Sequence, residues 1–253
     1  MSFADKININ SKNLKKDIKC AISQPVYLPW VGYLNLINSV DKFIFLDDSA
    51  LSKQSWHTRN YIISKNNVEN KLLLAVPVKN NEAKHINNMS ICNLRNWRKK
   101  HVQSIKDIYS KHKFFNDLLK TINIISDPNI KFLGELNTKI IINLSNDLLI
   151  KTKFYFSSKM NIPTYLNRTD KLIQILELTK CTKYFTAIGS KEYLEKDEFA
   201  KKTNIEIFYN KEIFPNYHQK NIGKFIFNLS FIDILANLGF EGLRKYLDKV
   251  KLL

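Results

Sequence analysis

Two short segments carry most of the side chains that can do chemistry. The first is Gln24-Pro25-Val26-Tyr27-Leu28-Pro29-Trp30-Val31-Gly32-Tyr33. Its prolines fix backbone angles and stiffen a loop. Tyr27 and Trp30, with Tyr33 close by, can floor a ring or a sugar face. Gln24 can read polar edges, and a helix starting at Pro29 would offer backbone N–H groups to an anion. The second segment pairs Asp47-Asp48 with Ser55-Trp56-His57-Thr58-Arg59-Asn60. Adjacent carboxylates can bind a metal, serve as a general base or hold a substrate amine. His57 can titrate near neutrality, and Arg59 can fork a carboxylate or phosphate. The structural alternative makes Asp47 a turn cap and pairs Arg59 with one of the acids.

Two weaker candidates lie further on. Gly189-Ser190 follows an apolar run and can receive a phosphate edge, or be a plain strand-to-helix turn; one glycine is far less than a glycine-rich fingerprint. Ser230 and Asp233 have the spacing of a capping-box variant. His85, His101, His112 and His218 show no ligand spacing, and no zincin, nucleophile-elbow or P-loop motif is present. No metal site is expected.

The elements that must position these residues follow from pattern. Residues 18–22 read as a buried strand, and helical spacing begins near Pro29, placed in the first turn. Residues 41–46 are a second strand ending on Asp47-Asp48. Residues 60–63 and 71–77 read as a hairpin turning at Asn66-Asn67. Residues 96–125 and 130–149 read as two long helices. Strands are expected at 153–157, 183–188 and 205–209. Helices are expected at 171–178, capped by Thr169-Asp170, at 191–201, and at 230–235 and 241–250. Strand and helix alternate at both ends of the chain. The expected fold class is therefore α/β: a three-layer, Rossmann-like, mostly parallel sheet with helices on both faces and an inserted helical pair. Ligands bind off the carboxyl ends of such strands, where residues 23–29, 47–60 and 188–190 would converge.

Composition bounds the rest. At 253 residues and 44% hydrophobic content the chain can bury a real core, and with six Gly and six Pro it is neither collagen-like nor linker-like. Residues 1–18 read as a flexible extension, and 19–253 as a single domain. Three cysteines with no C-x-x-C pair argue against a disulfide framework or zinc ribbon. No signal peptide and no membrane span are legible, so a cytoplasmic location is expected. The formal net charge is +17, carried mostly by lysine. Residues 95–120 hold eight basic side chains against Asp107 and Asp117, interleaved with Trp97, Tyr109, Phe114 and Phe115. That pattern reads as a solvated face over an aromatic stripe, or as a surface for tRNA or another polyanion.

The run from Gln24 to Tyr33, Asp41-Lys42-Phe43-Ile44-Phe45-Leu46-Asp47-Asp48, Trp56 to Asn60, and Val76-Pro77 together resemble the WbqC-like protein family. Ala187-Ile188-Gly189 and Asn228-Leu229-Ser230 with Ile232-Asp233 fall where that family has similar pieces. The likeness covers about residues 19–253. Ser23, His57 and Ser190 depart from the family's usual residues, so a histidine at 23 or 57 is not a family-wide feature. The first motif also resembles, loosely, the strand–loop–helix opening of HxGH nucleotidyltransferases, with both histidines absent. The resemblance implies an enzyme of O-antigen or other surface-polysaccharide (lipopolysaccharide) biosynthesis. Its substrate would be a nucleotide-sugar, and its reaction acyl or aminoacyl (glycyl) transfer to an amino sugar from acyl-CoA or aminoacyl-tRNA. Asp48 or His57 would be catalytic. Gln24, Tyr27, Trp30, Tyr33, Asp47, Trp56, Arg59, Asn60, Gly189, Ser190, Ser230 and Asp233 would bind substrate. A polyanion-binding module and a silent scaffold are the alternatives.

Overall fold

The computed structural model describes residues 17–52, 55–64, 70–79, 85–93, 95–210, 214–220 and 223–250. The hairpin turn at Asn66-Asn67 and nearly all of the N-terminal extension lie outside them. In chain order the elements are β1 (Lys19–Ser23), α1 (Val31–Asn38), β2 (Lys42–Phe45), β3 (Arg59–Ile63), β4 (Lys71–Ala75), α2 (Trp97–Tyr109), α3 (Leu119–Ser126), α4 (Leu133–Asp147), β5 (Lys153–Phe156), α5 (Arg168–Leu178), β6 (Lys183–Ala187), α6 (Lys191–Lys196), α7 (Phe199–Lys202), β7 (Glu206–Asn210) and α8 (Phe231–Lys249).

Five strands form one sheet in the order β5-β2-β1-β6-β7. Every pairing in it is parallel. Alternation along the strands sends Ala21, Phe43, Phe45 and Phe185 to one face, against Tyr33, Leu36 and Ile37 of α1 and Ile141 of α4. Cys20, Ile22, Ile44 and Tyr184 point to the other, against α5 (Leu172, Ile175, Leu176), Leu194 and Phe199. The result is a three-layer, Rossmann-like α/β sheet. β3 and β4 form a separate antiparallel pair. Together with α2, α3, α4 and α8 they build a second and larger apolar core around Leu34, Ile62, Ile105, Leu136 and Phe231. The insertion between β2 and β5 is thus a hairpin and three helices, more than a helical pair.

Several boundaries differ from the pattern reading, each for a local reason. Pro29 precedes the N-cap residue Trp30 instead of entering the first turn of α1. The expected helix at 96–125 breaks after Tyr109, where a turn and a 3-10 segment, Phe115–Leu118, separate α2 from α3. The cap of α5 is Asn167, whose side chain accepts from the Asp170 N–H, so Thr169 and Asp170 already lie inside the helix. The expected helix at 191–201 is interrupted at Glu198, in the left-handed region at φ 54°. α8 is kinked at Gly239, where φ 69° and ψ 175° leave the helical region, so the helices expected at 230–235 and 241–250 do meet at a break; the Phe114 ring occupies the space a side chain would need there. No described helix is long and apolar enough to cross a membrane.

Candidate active site at the carboxyl edge of the sheet

The carboxyl ends of the parallel strands carry, from one side to the other, Ser157-Ser158 after β5, Asp47-Asp48 after β2, Gln24 after β1 and Ile188–Ser190 after β6. Chain order reverses between β1 and β6, the crevice where such sheets take ligands. The loop after β1 is tied to residues 56–60 by two direct bonds and by two more that Asn137 of α4 donates, one to each segment. Tyr27 N–H donates to the Trp56 carbonyl at 3.0 Å. Asn60 Nδ2 donates to the Leu28 carbonyl at 2.6 Å. Asn137 Nδ2 donates to the carbonyls of Pro25 at 3.2 Å and His57 at 2.8 Å. Asn60 therefore holds a loop in which Leu28 sits at φ 46°, a left-handed backbone that costs about 1–2 kcal/mol. The two chemistry-bearing segments are one structural unit.

Beside that unit lies a cavity of about 390 Å³ lined by Val26, Trp30, Tyr33, Trp56, Asn60, Tyr61, Lys71 and Asn228. Trp30 and Trp56 are 42% and 52% exposed, high values for the largest apolar side chain, and so offer ring surface to a ligand. The Trp30 ring lies across the start of α1. A Cβ on Gly32 would sit 2.2 Å from that ring, so only glycine leaves room for it. Lys71 stands over the Tyr61 ring, 5.8 Å from its centre, and puts positive charge at the rim.

Next to the cavity wall runs a chain of neutral hydrogen bonds. Ser49 Oγ donates to the Leu46 carbonyl at 2.8 Å, and Gln24 Nε2 donates to Ser49 Oγ at 2.7 Å. Gln24 Oε1 lies 2.8 Å from His57 Nε2, and His57 Nδ1 lies 2.8 Å from Ser55 Oγ. His57 does not titrate near neutrality: burial pushes its pKa down to about 4, so the ring is uncharged at physiological pH.

Asp47 and Asp48 belong to a neighbouring, charged network. Asp47 accepts from the Ser158 N–H at 3.0 Å, from Ser158 Oγ at 2.6 Å and from Ser157 Oγ at 3.2 Å, so it caps the 3-10 turn after β5. Asp48 accepts from Ser157 Oγ at 2.5 Å and from Lys171 Nζ at 2.7 Å. Burial acts to raise the Asp48 pKa, but the hydrogen bonds from Lys171 and Ser157 and the lysine's charge outweigh it and leave it below the usual carboxylate value. Its oxygens are already taken up by Lys171 and Ser157. Among the described residues no group of three His, Cys, Asp or Glu side chains could hold a metal ion.

The remaining expected site residues divide. Tyr33 lines the cavity and donates its hydroxyl to the Gln24 carbonyl at 3.0 Å. Tyr27 is wholly buried, its hydroxyl 2.9 Å from His101 Nδ1, and belongs to the core instead of flooring a ligand ring. Arg59 starts β3 half-buried and makes no ion pair among the described residues, so it is not paired with either acid. Gly189 and Ser190 form a 3-10 turn off the cavity. The Ser190 hydroxyl is spent on the Ala187 carbonyl at 2.7 Å and on Thr186 Oγ1 at 3.0 Å, while the space beside Gly189 is open. Ser230 caps α8 by accepting from the Ile232 N–H, and its own N–H goes to the Tyr61 carbonyl. Asp233 completes no capping box. It has no exposed surface and accepts from Tyr109, Tyr217 and Gln219.

In residues 95–120, Arg95, Lys99, Lys100, Lys106, Lys111, Lys113 and Lys120 are exposed. Arg98 is committed to the carbonyls of Ile125 and Ile130, each at 2.7 Å, and Trp97 and Tyr109 are core. Pattern reading missed Ser49, Tyr61, Lys71 and Lys171, and gave Ser55 and Asn228 no role of their own. For Tyr61 and Lys71 a signal existed, since their diagonal positions in a two-stranded pair put them in reach of one another. For Lys171, more than a hundred residues from Asp48, there was none.

Residues 24–245 match the family model described as the WbqC-like protein family. A protein of Mycobacterium tuberculosis, itself described as uncharacterized, is 25% identical over 225 residues, covering 88% of this chain and 95% of its own length. No solved structure matches.

Proposed function

The chain belongs to the WbqC-like protein family, and from that premise we propose that it is a transferase of bacterial surface-polysaccharide biosynthesis, placing an acyl or aminoacyl (glycyl) group on the amino group of a nucleotide-linked amino sugar. The observation that carries this reading is the cavity between Trp30 and Trp56, set against an uncharged His57. Exposed indole faces suit the C–H face of a pyranose. Lys71 at the rim, with Arg59 on the same hairpin, supplies cations for the diphosphate. His57, whose lone pair is available at neutral pH, takes the proton that an attacking group must lose. Asp48, held by Lys171, is not asked to do so.

The test incubates the full chain with a panel of nucleotide-linked amino sugars and either acyl-CoA or aminoacyl-tRNA, and follows the sugar by mass spectrometry. The expected result is an N-acylated nucleotide-sugar from one donor class. Aminoacyl-tRNA as donor would add a steep loss of rate between low and physiological salt, which acyl-CoA would not show to the same degree. Saturable sugar-nucleotide binding with no product from either donor would overturn the transferase reading and leave a binding module.

A further inference from the structure

The proton positions around His57 can be derived from one fixed point. The Leu46 carbonyl can only accept, so the Ser49 hydroxyl donates to it and leaves a lone pair for its other partner. Gln24 Nε2 fills that place, which turns Gln24 Oε1 toward His57. An amide oxygen can only accept, so His57 Nε2 carries the ring's hydrogen. The neutral ring then has its lone pair on Nδ1, and Ser55 Oγ, 2.8 Å away, must donate to it. A hydroxyl donating to a neutral imidazole whose other nitrogen is oriented by a third group is the geometry of an activated serine. The two inner links, Ser49 to Gln24 and Gln24 to His57, join residues far apart in sequence and belong to no local turn or cap.

We infer that Ser55 is a nucleophile that carries the transferred acyl group as an ester. The inference rests on the acyl-transfer reading above and adds a covalent intermediate to it. In the first half, Ser55 Oγ attacks the carbonyl carbon of the donor thioester or ester, and the hydroxyl proton passes to His57 Nδ1. The bond from that carbon to the donor's sulfur or oxygen then breaks, and the leaving group takes the proton from His57. In the second half, the sugar amine attacks the Ser55 ester and gives a proton to His57 Nδ1. The ester C–O bond breaks and Ser55 Oγ recovers that proton. Nothing is oxidised or reduced. Gln24 and Ser49 touch no reacting atom and act as positioning residues for the imidazole.

The experiment acylates the full chain with acetyl-CoA and, separately, with p-nitrophenyl acetate, quenches in acid, and reads intact and peptide masses. One acetyl group is expected on Ser55. Ser55→Ala should show none, His57→Gln should take it up at least about tenfold more slowly, and Ser55→Cys should hold it as a thioester that hydroxylamine releases. Ser55→Cys decides the matter if Ser55→Ala fails to fold. Transfer to an amino sugar at the full rate by Ser55→Ala, with no label on Ser55 in the parent chain, would overturn the nucleophile and leave the transferase reading standing. A Ser55 ester that water discharges but no amino sugar does would keep the nucleophile and remove the transferase reading. Acetyl found only on lysines, in both proteins alike, would overturn the nucleophile.

Discussion

Two polar networks sit side by side on the carboxyl edge of the sheet, separated in sequence by the single step from Asp48 to Ser49. Around Gln24, His57 and Ser55 every group is neutral: the Ser55–His57 hydrogen bond can pass a proton, and the Gln24 amide orients the ring. Around Asp47, Asp48, Ser157 and Lys171, charge meets charge. The first network has one side chain pushed out of its ordinary titration range by burial alone. The second has a carboxylate whose lysine partner keeps it ionised despite burial. A pair of acids at a strand end is therefore not a base by position. What decides is whether a cation has already claimed the lone pairs.

The sharpest way to break this contrast is to remove one member of each network. His57→Gln should lower transfer turnover by about 10²–10⁴-fold, with thermal unfolding little changed. Asp48→Asn should do the reverse, costing about 1–2 kcal/mol of stability while turnover of the folded protein stays within a few-fold. Circular-dichroism melts and single-substrate kinetics on both variants read this directly. A dead but fully stable Asp48→Asn protein would exchange the two roles.

A smaller effect is expected at the cavity wall. Trp30→Ala and Trp56→Ala should each raise KM for the nucleotide-sugar by roughly five- to tenfold with kcat nearly unchanged, as loss of about 1 kcal/mol of ring contact predicts. Gly32→Ala should copy Trp30→Ala without touching the indole, because a methyl group at that position occupies the ring's place. If Gly32→Ala binds sugar normally while Trp30→Ala does not, the position of the ring is less constrained than the contact at 2.2 Å requires.

Much of this arrangement was legible in the sequence because it is local or periodic. Short apolar runs marked β1, β2 and β6, and the strand ends that follow β1 and β2 are where Gln24, Asp47 and Asp48 stand. Grouping Trp56, His57 and Asn60 with the proline-rich loop is right in space, since Asn60 and His57 both bond that loop. The illegible part is tertiary. Tyr27 and Trp30 lie three residues apart in one motif, yet one is wholly buried against His101 and the other is open to solvent, because α2 covers only the first. Asp48 looks like a free acid until α5 delivers Lys171 to it. Ser230 and Asp233 carry a capping pattern, but Tyr109 and Tyr217 draw the carboxylate inward. In each case a partner distant in sequence sets the role.

A finer test of the Gln24 link replaces the neutral amide by a charge. Gln24→Glu would set a carboxylate beside His57 Nε2 and raise the imidazole pKa from about 4 by about 1–3 units. The acid limb of the kcat profile should move up by the same amount. Gln24→Met should lower kcat without moving the limb, because it removes the orienting acceptor and adds no charge. A limb that stays in place in Gln24→Glu would mean that the amide does not face the ring.

The two networks should also separate in how stability depends on pH. Burial depresses His57 and His101 from an ordinary 6.5 to about 4. Between those values the unfolded chain binds protons that the folded chain does not. Their contribution is therefore fully present above 6.5 and is lost as pH falls toward 4. Buried Asp233 runs the other way: its raised pKa makes a contribution that is present at acid pH and lost as pH rises through the folded value. Asp48, depressed below its ordinary 3.8, contributes above that value and loses it only as pH falls further. Urea unfolding between pH 7.5 and pH 4.5 should thus show a decline that His57→Gln and His101→Gln each flatten. Asp48→Asn should lower the whole curve without changing its slope, because nothing at Asp48 titrates in that window. A slope change in Asp48→Asn equal to that of His57→Gln would mean that the neutral and the charged networks titrate as one.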